Sequence, residues 1–181
     1  YTSLEDCIND LKKTNQLKII TKQVDPDLEI ASIHLEEYKN SGKALLFTNI
    51  KGSKFPAVSN LFGTQARSEF IFRKSIKKVK HLIDLKINPI NAFKNPVKSL
   101  GMAFYALNAL PKKISFPKNF KEISLSDIPQ IKCWPKDGGA FITLPQVYSE
   151  DINKPGISNS NLGMYRIQIS GNKYIKDKEV G

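Results

Sequence analysis

Within the first 64 residues the apolar positions change period again and again, and few architectures accept such a pattern. Ser3, with Asp6 three positions on, has the form of a helix N-cap. Leu4, Cys7, Ile8 and Leu11 then recur at helical spacing. From Leu17 to Val24 the pattern alternates and is rich in β-branched residues, which predicts a strand. Asp25-Pro26 ends it, with Pro26 suited to the first turn of a helix from about Asp27 to Asn40 that turns Leu28, Ala31, Leu35 and Tyr38 inward. Ser41-Gly42 closes that helix. Lys43 to Thr48 reads as a second strand, Lys51-Gly52 as a turn, and Pro56 to Asn60 as a short third strand. The stretch Asn60-Leu-Phe-Gly-Thr64 has one Gly and no phosphate-loop spacing, so it reads as packing and turn. Strand, helix, strand, strand in this order predicts a compact α/β unit.

Beyond it, Ser68 to about Asp84 predicts a basic amphipathic helix with Phe72, Ile76, Val79 and Ile83 on one face. Two prolines between Asn88 and Pro96 break it. Val97 to Leu110 has a broad apolar face (Leu100, Ala103, Phe104, Leu107) suited to packing against a barrel or a neighbouring subunit. Pro111 to Pro117 reads as a linker, and a domain boundary is expected near Phe120. In the last third, Ala140 to Leu144 and Gln146 to Ser149 are strand-like, and Pro145 between them predicts an edge or a bulge. Glu150 to Ser160 is a connecting loop and Asn161 to Ser170 the next strand. The lone Trp134, followed by Pro135, is expected to anchor the start of this second domain in the core.

The 181 residues suffice for one large or two small domains that bury roughly 70% of the extended surface. No apolar run approaches the roughly 20 residues of a membrane span. Cys7 and Cys133 lack metal-ligand spacing and read as buried thiols in a reducing compartment. His34 and His81 each read as partly solvated helix residues. A net charge of +11 invites nucleic acid or an anionic membrane as partner. Yet only Arg67, Arg73 and Arg166 are arginine, and aromatic residues do not interleave with the basic ones as a base-stacking platform requires. Nucleic acid is therefore not expected as a partner; attraction to lipid headgroups is the weaker remaining option.

Asn161-Leu-Gly-Met-Tyr-Arg166 concentrates the chemistry: one carboxamide and one guanidinium, five positions apart after an Asn/Ser-rich turn. In a regular strand this odd offset puts them on opposite faces. A bend at Gly163 would bring both toward one ligand. Cys133-Trp-Pro-Lys-Asp137 lies upstream and Asn60-Leu-Phe-Gly-Thr64 earlier still. With these three blocks in this order, the chain from about Leu4 to Gly181 resembles the UbiD-type decarboxylases. These prenylated-flavin enzymes include the octaprenyl-hydroxybenzoate carboxy-lyases of quinone biosynthesis.

The resemblance implies an α+β chain: an N-terminal α/β domain over 1–120, then over 121–181 the opening strands of a split β-barrel of flavin-reductase type. It implies non-oxidative loss of carbon dioxide from an aromatic or α,β-unsaturated acid, with prenylated FMN as the electron sink that side chains cannot supply. Asn161 matches the family's metal-ligating asparagine, a hard oxygen suited to Mn²⁺ or Mg²⁺ at a flavin phosphate; K⁺ is a further ion to be expected. Arg166 matches the arginine that grips the reacting carboxylate through paired hydrogen bonds, which a lysine cannot copy. Met164 and Tyr165 match positions whose backbone lies against the flavin, and Thr143 a threonine near it. A homo-oligomer, a flavin prenyltransferase as cofactor supplier and a cytoplasmic location, peripheral to the inner membrane at most, complete the expectation. The family's further metal ligands, a histidine and a glutamate, lie downstream of the asparagine. After Arg166 this chain has Asp177 and Glu179 as acids and no histidine, so it is expected to be inactive by itself, as the N-terminal part of a longer enzyme. Two other classes stay open: a flavin-binding reductase, which would oxidise nicotinamide without a metal, and a basic binding module, whose affinity would fall steeply with salt.

Overall fold

The structure, a computed structural model, describes residues 1–88 and 121–169. The first helix, α1 (Leu4–Lys13), begins where its cap predicts: Ser3 Oγ accepts the Asp6 N–H at 3.1 Å. Its end is closed by side chain and backbone together: Thr14 Oγ1 donates to the Asp10 carbonyl at 3.0 Å. Asn15 takes the left-handed conformation, and Gln16 N–H reaches back to the Leu11 carbonyl at 2.8 Å. Strand β1 (Leu17–Ile20) stops earlier than its alternating pattern predicts, and Val24 makes only an isolated parallel bridge to Ile50.

Helix α2 (Glu29–Lys39) starts two residues later than expected. Leu28 holds a left-handed φ of 69°, outside the helical region, so Pro26 is not in the first turn. Both residues serve the second half of the chain instead. Lys132 N–H donates to the Pro26 carbonyl, and Leu28 N–H to the Lys132 carbonyl. Ser41, rather than Gly42, takes the left-handed position after α2, while Gly42 N–H bonds the Glu37 carbonyl at 2.8 Å. Of the residues predicted to face inward, Leu28, Ala31 and Leu35 are half-buried and Tyr38 is exposed; the buried residue of the helix is Ile30, which the predicted face did not include.

Strand β2 (Ala44–Phe47) lies between β1, parallel to it, and β3 (Ala57–Ser59), antiparallel. Its central place explains its burial: Ala44, Leu45 and Phe47 are shut off from solvent. Leu45 and Phe47 join Val24, Ile30 and Ile50 in the core, and Ile131 from the far side of the sequence packs against them. Residues 1–64 and the described residues from 122 onward thus form one compact unit. Among its further ties are a hydrogen bond from Ser53 Oγ to the Asp127 carbonyl and one from Phe141 N–H to the Ile131 carbonyl.

A second unit begins at residue 65. The single helix predicted from Ser68 to Asp84 is two, α3 (Gln65–Ile71) and α4 (Ile76–Ile87), separated by a turn in which Ile76 N–H bonds the Phe72 carbonyl. Phe72, Val79 and Ile83 on its predicted inner face are about half exposed among the described residues. The predicted helix over 97–110, the linker and the boundary at Phe120 lie outside the described residues.

In the last third, β4 (Phe141–Ile142) pairs with β7 (Ile167–Gln168), and β5 (Gln146–Glu150) with β6 (Ser160–Met164). The expected strand from Asn161 to Ser170 is therefore interrupted. Between the pairs Ile142–Ile167 and Gln146–Met164, Thr143-Leu144-Pro145 stand opposite only Tyr165-Arg166. One extra residue on one side is a bulge, at the proline that predicted it. Tyr165 N–H still donates to the Pro145 carbonyl at 3.1 Å, so the hairpin kinks without coming apart.

Candidate functional site

The bulge decides where the predicted site residues stand. Gly163 makes an ordinary pair with Val147, and Met164 with Gln146, so the bend is not there but further on, at Tyr165-Arg166. Gly163 has another use: a Cβ built on it would lie 2.5 Å from the Tyr165 ring, so the missing side chain is the ring's resting place. Asn161 lies on β6 opposite Ser149, exposed. Arg166 lies in the break, five residues further on, and no hydrogen bond joins it to Asn161. Met164 and Tyr165, 68% and 50% exposed, present themselves between them, and Thr143 faces Arg166 across the bulge.

Arg166 is held on two sides. Its Nη2 donates to Asp137 Oδ2 at 2.8 Å, and its guanidinium lies 3.7 Å above the Phe141 ring. Asp137 is fixed in turn by the Trp134-Pro135-Lys136-Asp137 turn, where its Oδ2 accepts the Trp134 N–H and its own N–H bonds the Trp134 carbonyl. The ion pair is lopsided, with the arginine side chain 45% exposed and the aspartate 12%. Asp137 and Phe141 are site residues that spacing could not reveal, since Asp137 stands 29 positions before its partner. The one available signal was a carboxylate next to a Gly-Gly turn inside a motif already singled out.

Beside this group a cavity of about 310 Å³ opens between α2, β3 and the 131–143 segment. Ile30, Leu35, Val58 and Phe141 make it apolar; Thr143, Ser59 and His34 supply its polar edge. His34 is a partly solvated residue of α2, as expected, and it has partners besides. Its Nδ1 lies 2.8 Å from Ser59 Oγ, its ring stacks on Tyr38, and burial lowers its pKa, favouring the neutral ring. Cys133 lines the same cavity, a free and half-buried thiol pushed up chiefly by burial and further by the Asp137 charge, with Arg166 opposing. Trp134, expected in the core, is 56% exposed at the cavity rim, because the turn that holds Asp137 leaves its indole outside.

A divalent ion needs several hard ligands. Among the described residues no group of three or more His, Cys, Asp or Glu could hold a metal. These residues do not by themselves make a metal site.

The fold has solved counterparts. The fold matches the closed form of the vanillic acid decarboxylase of Sedimentibacter hydroxybenzoicus (TM-score 0.66, 23% identity, 94% of this chain and 35% of that one). It also matches an evolved dimeric form of the UbiD-class enzyme HmfF from Pelotomaculum thermopropionicum in complex with prFMN (TM-score 0.65, 20% identity, 94% and 36%). The architecture is thus the mixed α/β one of UbiD-class decarboxylases. Residues 8–86 match the family model described as the 3-octaprenyl-4-hydroxybenzoate carboxy-lyase N-terminal domain, and residues 110–178 the Rift-related domain of the same carboxy-lyase. The chain belongs to the UbiD family. It is 38% identical over 173 residues to a protein of Chlamydia caviae and 36% identical over 170 residues to a 4-hydroxybenzoate decarboxylase subunit from Chlamydia pneumoniae. It spans 29% and 27% of the lengths of these two relatives while they cover 92% and 87% of it.

Proposed function

We propose that the protein carrying this chain is a carboxy-lyase that removes carbon dioxide non-oxidatively from an aromatic or α,β-unsaturated acid, of the octaprenyl-hydroxybenzoate kind. The observation that carries the proposal is Arg166: a guanidinium supported by Asp137 and Phe141, still 45% exposed, beside the exposed Met164-Tyr165 backbone. Loss of carbon dioxide leaves an electron pair on carbon, and prenylated FMN supplies the sink for it when bound. The chain's own part is to orient the acid. A planar fork can hold the departing carboxylate by two hydrogen bonds, and the apolar cavity behind Phe141 and Thr143 suits an aromatic or enoic body. Thr143, Met164 and Tyr165 would lie against the flavin.

Asn161 would give one ligand to Mn²⁺ or Mg²⁺, the others coming from residues not among those described; K⁺ is part of the same proposal. So are a split barrel of flavin-reductase type opened by the β4–β7 hairpin, domains divided near Phe120, a homo-oligomeric assembly and a flavin prenyltransferase as supplier. A cytoplasmic location with at most peripheral membrane contact, and a role in quinone biosynthesis, belong to it too. The described helices include none long and apolar enough to cross a membrane.

The test is turnover by the full-length protein on a panel of aromatic and enoic acids, with prenylated FMN, with unmodified FMN and without flavin. Carbon dioxide release only with the prenylated cofactor is expected. Turnover with unmodified flavin and nicotinamide would move the protein to the reductase class.

A further inference from the structure

Asp137 touches neither the exposed edge of Arg166 nor the Met164-Tyr165 backbone by any contact in the structure, yet it is the group best placed to decide what Arg166 does. Its carboxylate is only 12% exposed and belongs to a closed turn: Oδ2 accepts the Trp134 N–H at 3.2 Å while Asp137 N–H bonds the Trp134 carbonyl at 3.0 Å. The same Oδ2 takes Arg166 Nη2 at 2.8 Å. An arginine side chain has several rotatable bonds, and an isolated one must give up that freedom when it grips a ligand. Here Asp137 fixes the tip of the guanidinium and Phe141 fixes its plane. A guanidinium has five N–H donors, and Nη2–Asp137 is its one hydrogen bond among the described residues. An edge with two parallel donors therefore remains for a second carboxylate.

We infer that Asp137 is a positioning residue that, with Phe141, holds Arg166 ready to receive the carboxylate of the acid substrate. The inference rests on the carboxy-lyase function proposed above. It links the Cys133–Asp137 block to the Asn161–Arg166 block: one segment supplies the hand, the other the wrist. Because Asp137 acts through Arg166, its loss is felt mainly when the acid binds, and nothing further is lost once Arg166 itself is gone.

The experiment uses the full-length protein loaded with prenylated FMN and compares Asp137→Asn, Asp137→Glu, Arg166→Lys and the Asp137→Asn/Arg166→Lys double variant. Asp137→Asn is expected to lower kcat/KM about ten-fold, mostly through a higher KM, with flavin content unchanged. Asp137→Glu should recover part of the loss, and the double variant should be no worse than Arg166→Lys alone. Losses that multiply in the double variant, or wild-type kinetics in Asp137→Asn, would overturn the inference. Asp137 also ties the Trp134 turn, so a second variant guards against misfolding of Asp137→Asn. Phe141→Leu removes the other support and should raise KM, an unchanged KM counting against the inference. Crystal structures of the full-length wild type and Asp137→Asn provide a readout that needs no turnover. The guanidinium should lie over Phe141 in the first and leave it in the second; one that stays stacked and ordered in both refutes positioning by Asp137. If the wild type releases no carbon dioxide from any acid, the proposed function fails, while the crystallographic comparison still decides the role of Asp137.

Discussion

Arg166 is one of three arginines in a chain that otherwise uses lysine, and its surroundings explain what a lysine would forfeit. An ammonium can pair with Asp137 but cannot lie flat on Phe141 while offering two parallel donors outward. In the full-length enzyme, Arg166→Lys should cost about 1.5–3 kcal/mol of carboxylate binding in the transition state. That corresponds to a roughly ten- to hundred-fold fall in kcat/KM, with little change in the melting temperature. Steady-state kinetics beside a thermal scan check it, and unchanged kinetics in a folded variant would make Arg166 a surface residue. His34 gives a prediction of another kind. Burial lowers its pKa in the folded state, so the unfolded chain takes up the proton first as pH falls. Its stabilising contribution is present above the ordinary histidine pKa and is lost as pH falls toward and through the lowered value. Urea midpoints of the wild type should decline between pH 7.5 and 5 more steeply than those of His34→Gln; parallel profiles would exclude His34 as a source of acid sensitivity.

Among the elements, the kinked hairpin matters most. A regular ladder through residues 141–150 and 160–168 would alternate side chains without a break and leave no gap at Arg166. The extra residue at Thr143-Leu144-Pro145 creates that gap, and proline is tolerated there because it has no N–H to give the ladder. Gly163 then provides the space that Tyr165 folds into. Gly163→Ala should push the Tyr165 ring away rather than unfold the hairpin, because the ring is the free end of a half-exposed side chain. The urea midpoint of the 1–181 chain should shift by less than about 1 kcal/mol equivalent, while flavin affinity of the full-length protein falls. A large loss of stability would show that the strand itself, and not the ring, needs the glycine.

For the molecule as a whole, exposure is uneven. The sheet β1-β2-β3 has a closed core, but every residue of β5 is exposed, and Leu162 and Met164 on β6 are exposed with it. An apolar arm with open edges tends to pair with other chains. Residues 1–181 prepared alone should therefore fold around the β1-β2-β3 core, self-associate, and bind neither Mn²⁺ nor flavin tightly, since Asn161 offers a single neutral oxygen. Calorimetric titration with Mn²⁺ and with FMN, together with the mass in solution, tests this. Micromolar binding of both ligands to a monomer would mean that the chain carries a complete site.

What the sequence determined by itself is what short-range chemistry determines. The Ser3 cap reaches only to Asp6, the periods of α1 and β2 are local, and Pro145 marks its own bulge, so each was legible along the chain. The Asn161–Arg166 block could be read as chemistry, and the order of the three blocks as family likeness. Tertiary structure alone decided the rest, because the deciding contacts join residues far apart. Lys132 holds Pro26 and Leu28 out of the helix that their sequence favours, Ser59 captures the His34 ring, and Asp137 takes Arg166 from 29 positions away. A guanidinium can form an ion pair with any carboxylate within reach; which one it meets is fixed by the packing of the Trp134 turn against the kinked hairpin.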